Sequence, residues 1–120
     1  MYIFVTARKC PVSSYYFISL AEYITLEGEH EMSLVETQYS HQNLRIYVCC
    51  DLVEPSFYHE SRWNILRSMR PQSSIIHPYY VKLKQLKFNN IKLWIMDDNG
   101  FLLDYKKNFA CTLHIRKCQE

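Results

Sequence analysis

Alternation with a period of two constrains this chain more than any other feature. Leu44, Ile46, Val48, Cys50 and Leu52 alternate with Arg45, Tyr47, Cys49, Asp51 and Val53. Successive side chains on a strand point to opposite faces, so this run predicts a long strand, apolar on both faces near its centre. Ile91, Leu93 and Ile95 alternate with Lys92, Trp94 and Met96. Phe109, Cys111, Leu113 and Ile115 alternate with Ala110, Thr112, His114 and Arg116. Both runs predict strands with an apolar inner face. Between them, Asp97-Asp98-Asn99-Gly100 reads as a hairpin turn, because Asn-Gly tolerates the two positive φ angles of a type I′ turn. Residues 101–103 then begin a returning strand, and 91–116 is expected to form one antiparallel unit.

The remaining elements are also extended. Residues 15–20 are β-prone through their aromatics and Ile18. Residues 31–39 predict a strand entered through a turn at Glu27-Gly28, with Val35 interrupting the alternation. Residues 63–69 fit either a short helical turn or a strand. Pro55, Pro71 and Pro78 fall in connections, where a missing N–H does no harm. The expected architecture is all-β: one antiparallel β-sandwich domain over 1–120, jelly-roll-like or a partial jelly roll.

Composition removes several function classes. No apolar run approaches the roughly 20 residues of a membrane-spanning helix. The apolar start, Met1 to Val5, has its charges after it and is too short for a secretory signal, so an intracellular setting is expected. Only two glycines are present, at 28 and 100, too few for a phosphate-cradling loop. The histidines at 30, 41, 59, 77 and 114 and the cysteines at 10, 49, 50, 111 and 118 show no metal-finger or helical ligand spacing. Neither a metal nor a cofactor is expected, and the thiols read as reduced packing groups. His114 is expected on a solvent-facing strand surface and His41 in a turn. Asp97 and Asp98 are read as turn residues, not as paired acid–base carboxylates. No catalytic constellation emerges, so a non-enzymatic role is expected.

Charge divides the chain. Residues 1–60 hold three basic and eight acidic side chains, and residues 61–120 hold eleven and four. Either the second half presents a basic binding face, or the halves pack against each other, or copies pack head to tail. The first option defines an alternative function, a host module binding nucleic acid or protein through its basic half.

Three blocks carry a resemblance. Leu26-Glu27-Gly28 followed by 29–41 is similar to a leucine–glycine segment leading into an E-V-x-L-x-E-x-x-Y-P pattern. Residues 44–55, with Asp51-Leu52-Val53-Glu54-Pro55, and then Asn64-Ile65-Leu66-Arg67, resemble an L-Y-V-Y-C-D-L-V-E-P … L-L-R stretch. His77-Pro78-Tyr79-Tyr80-Val81, Asp97-Asp98-Asn99-Gly100 and Thr112-Leu113-His114-Ile115-Arg116 complete the series. In this order they resemble virion-type proteins of Maverick/Polinton elements and their adintovirus relatives. The resemblance implies a jelly-roll-like fold and a structural role as a minor capsid or capsid-associated protein, or as its domesticated relic. Partners would be further copies or a major capsid protein. The motifs are structural, and no catalytic residue carries over. The join between the first two blocks is shorter than in the family. It implies missing strands and an unpaired edge through which copies associate, unless Lys82, Lys84, Lys87 and Lys92 guard it. Candidate interaction residues are Phe57, Tyr58, Trp63, Tyr79 and Tyr80, because aromatics concentrate at interface hot spots.

Overall fold

The structure is a computed structural model. It describes residues 1–9, 14–37, 43–71, 77–103 and 109–118, with the backbone alone for 7–9. The expectations for Cys10, His41 and the 39–44 join fall wholly or partly outside these residues.

Ten strands follow in order: β1 (Tyr2–Lys9), β2 (Tyr16–Thr25), β3 (His30–Thr37), β4 (Ile46–Cys50), β5 (Ser56–Tyr58), β6 (Ser61–Trp63), β7 (Ile65–Met69), β8 (Val81–Lys82), β9 (Lys87–Met96) and β10 (Phe109–Lys117). Eight of them form two four-stranded antiparallel layers, β1-β10-β3-β8 and β2-β9-β4-β7. The layers join through two residue pairs between β1 and β2, Arg8 with Phe17 and Lys9 with Tyr16. This jelly-roll-like β-sandwich agrees with the expected class. The incomplete sandwich is corrected: both layers have four strands despite the short 39–44 join.

Period two explains the core. Ile3 and Val5 of β1, Met32 and Leu34 of β3, and Phe109, Cys111, Leu113 and Ile115 of β10 are buried on one inner face. Ile46, Val48 and Cys50 of β4 and Ile91, Leu93 and Ile95 of β9 meet them from the other. The sheet register accounts for the interruption at Val35. Leu113 pairs with Leu34 while Thr112 pairs with Glu36, so Val35 is the extra residue of a β-bulge.

The expected 91–116 unit is corrected. β9 lies between β2 and β4, whereas β10 lies between β1 and β3 in the other layer. The turn itself is present. Gly100 N–H donates to the Asp97 carbonyl (3.2 Å), and Asp97 N–H donates to the Phe101 carbonyl (3.1 Å). Positive φ occurs only at Gly100 (84°) in this turn, which makes it a type I turn with a glycine bulge and not type I′. The Met96–Leu102 bridge and the Leu103 N–H to Ile95 carbonyl bond begin the return. Residues 63–69 are extended, not helical: Trp63 ends β6, and β7 begins after Asn64.

The second sequence block ties up the open side of the sandwich. Asp51 Oδ1 accepts from Lys92 N–H (3.0 Å). Beyond β4, Lys84 N–H donates to the Leu52 carbonyl and Glu54 N–H to the Lys82 carbonyl, both at 2.8 Å. Asn64 Nδ2 donates to the Val53 carbonyl at 2.9 Å.

Candidate interaction surface

The five aromatic candidates occupy two separate places. Phe57, Tyr58 and Trp63 belong to the β5–β6 hairpin, which packs on the outer face of β4. Tyr58 and Trp63 stack with centroids 4.1 Å apart, and Tyr47 meets them edge-on at 5.1 and 5.7 Å. The Asp97–Gly100 turn locks this cluster. Tyr47 donates its hydroxyl to Asp98 Oδ1 (2.7 Å), and Tyr58 donates to the Asp98 carbonyl (2.6 Å). Burial and the Asp98 carboxylate push the Tyr47 phenol well above its usual range. A Cβ on Gly100 would lie 3.3 Å from Trp63 Cζ2, so the turn seats directly against the indole. Asp97 keeps the turn role, its carboxylate accepting from the N–H groups of Asn99 and Phe101. Asp98 does more than the sequence reading assigned to it.

Tyr79 and Tyr80 lie against the other layer. Tyr79 N–H donates to Ser33 Oγ (3.2 Å), and Tyr80 hydroxyl lies 2.6 Å from His114 Nδ1. The Arg116 guanidinium sits 3.5 Å from the Tyr80 ring centroid, and the Tyr2 ring 4.4 Å from that of His114. His114 is therefore half-buried between two rings, which corrects its solvent-facing placement. Burial, with the N-terminal ammonium and Arg116, lowers its pKa.

Of the five, Phe57 (74% exposed) and Tyr79 (64%) present most of their surface outward. Tyr58, Trp63 and Tyr80 are half-buried by the contacts above. The sequence reading missed a further exposed pair, Tyr2 (61%) and Phe4 (80%), stacked on the outer face of β1 with centroids 6.3 Å apart. Their alternation with Ile3 and Val5 was the available signal.

The charge division resolves in part as pairing between the halves. Glu29 beside β3 meets Lys82 of β8 at 3.1 Å, and Glu31 of β3 meets Arg116 of β10 at 2.7 Å. Lys82 lies within, and Lys84 just after, a two-residue edge strand, a short charged edge of the kind that discourages pairing. Lys87 and Lys92 guard no edge, because β9 is interior. Lys92 instead lies 4.1 Å from the Tyr15 ring centroid.

Among the described residues no group of three His, Cys, Asp or Glu side chains is placed to hold a metal ion. Cys49, Cys50 and Cys111 are free and buried, and burial pushes their thiols up, to about 12 for Cys49 and Cys111. Among the described residues no helix is long and apolar enough to cross a membrane. Comparison of the chain with protein-family models, with curated proteins and with solved structures returned no match.

Proposed function

We propose that the chain is a structural virion protein, a minor capsid or capsid-associated component of a Maverick/Polinton- or adintovirus-like element or its domesticated relic. The observation that carries this reading is the strand order, β1-β10-β3-β8 against β2-β9-β4-β7, which is the double Greek-key wind used by viral capsid domains among others. The three sequence blocks support it, since each has a structural part in that wind: the β3 bulge, the ties after β4, and the Tyr80–His114 contact. Large apolar side chains turned outward, Phe4, Tyr2, Phe57, Tyr79 and Phe101, supply surface that assembly would bury. The protein acts inside the producing cell and then in the particle, through contacts with its own copies or with a major capsid protein.

The alternative, a nucleic-acid-binding host module, has less to draw on. Lys82 and Arg116 of the basic half are already engaged by Glu29 and Glu31. Co-expression with a major capsid protein of such an element tests the proposal. Co-sedimentation with assembled particles is expected. A chain that stays in the soluble fraction but shifts RNA or DNA with steep salt dependence supports the alternative instead.

A further inference from the structure

The open side of the sandwich contains a half-buried cation beside the core. In the β4–β7 ladder Ile46 faces Met69 and Val48 faces Arg67. Directly paired residues share one face of a sheet, and Ile46, Val48 and Met69 all belong to the core. The ladder bulges directly after this pair, so Leu66 and Arg67 both lie opposite Val48, and the half-buried Arg67 side chain lines a cleft beside the core. Its Nη1 is buried and has no hydrogen-bond partner among the described residues. A cleft of about 490 Å³ opens at this point. Leu66, Pro78 and Val81 give it apolar walls, and Ser56, Ser68 and His77 add polar groups. No acidic side chain lines it among the described residues.

Three features point the same way. A guanidinium offers donors and no acceptor, so a carboxylate oxygen is its natural complement. A buried donor left unpaired is costly, and a bound anion removes that cost. The cleft falls within the size range of sites for small organic ligands and single side chains. We propose that this cleft binds a carboxylate carried on an apolar body, with the carboxylate on Arg67 and the apolar part against Leu66, Pro78 and Val81. The chemistry is shared by a free organic acid and by a glutamate flanked by apolar residues in a partner peptide. The inference is independent of the virion reading, since it rests on the β4–β7 register, the unpaired Nη1 and the cleft beside it.

The test uses the full chain and two probes. One is 3-phenylpropionate, with uncharged 3-phenylpropionamide as control. The other is a capped pentapeptide with one glutamate between two phenylalanines, with its glutamine counterpart as control. Binding is followed by chemical-shift changes at the Leu66 and Val81 methyl groups and by calorimetry. At least one carboxylate probe is expected to saturate, tenfold or more tighter than its neutral control. The tighter of the two identifies the source. Arg67→Met keeps the alkyl stem and removes the charge. It is expected to weaken carboxylate binding at least tenfold, leave the neutral controls unchanged, and fold normally, since only a buried unpaired donor is lost. Arg67→Lys, which keeps the charge but not the fork, is expected to fall between. The proposal is overturned if neither carboxylate saturates at millimolar concentration, if charged and neutral probes bind equally, or if Arg67→Met binds as the parent does.

Discussion

Alkaline pH should unfold this protein by way of three thiols. Cys49, Cys50 and Cys111 are 0%, 0% and 6% exposed. A thiol of pKa 9.0 in the unfolded chain is pushed up to about 12 at Cys49 and Cys111, and further still at Cys50, because burial disfavours the thiolate. The folded state then keeps protons that the unfolded state releases. The stability from these groups is fully present below pH 9 and declines as pH rises beyond it, until the folded thiols titrate. From pH 8 to pH 10 each unfolded thiol gains about 1.4 kcal/mol from ionising while its folded counterpart gains almost nothing, so three thiols remove about 4 kcal/mol. That is a large share of the 5–15 kcal/mol typical of a domain. Urea denaturation followed by tryptophan fluorescence at pH 7, 8, 9 and 10 measures the decline. Cys50→Val should flatten it by about one-third. Stability constant to within about 1 kcal/mol over this range, or thiolate absorbance at 240 nm near pH 9 from a folded variant carrying Cys10→Ser and Cys118→Ser, would refute the burial argument.

Three further outcomes follow from individual contacts. Asp98→Ala removes the carboxylate that accepts from Tyr47 and should cost about 1–2 kcal/mol, with a red shift of Trp63 emission as the β5–β6 hairpin loosens. His59 holds φ at 53° in the β5–β6 turn, so His59→Gly should stabilise by up to about 1 kcal/mol in thermal melts. A decrease there would mean that the Tyr58–His59 ring contact outweighs the backbone strain. Phe4→Ser should change stability by less than about 0.5 kcal/mol, because the ring is 80% exposed, yet weaken association between copies in sedimentation.

The strands of the sandwich were legible because their apolar residues repeat every two positions. Ile91, Leu93, Ile95 and Leu113, Ile115 are buried as their alternation requires. Pairing was not legible. Nothing local distinguishes a hairpin partner from a strand sent to the opposite layer, so β9 and β10 were joined through their turn and are in fact separated. β1 was passed over as a short apolar start, although Ile3 and Val5 alternate with Tyr2 and Phe4. The aromatic candidates stand out in the sequence, but exposure depends on tertiary contacts. Tyr58 and Trp63 are engaged by Asp98 and Tyr47 from distant positions, and Phe57 is left outward. The half-buried Arg67 was invisible for the same reason. A cation in a strand reads as solvent-facing until the register with Val48 is known.

Sedimentation velocity of the chain alone, at micromolar concentration and at low and moderate salt, tests the structural role most directly. The account predicts reversible association at both salts, driven by outward aromatic surface that salt does not screen, and weakened by Phe4→Ser or Phe57→Ser. A stable monomer at both salts, indistinguishable from these variants, would contradict it.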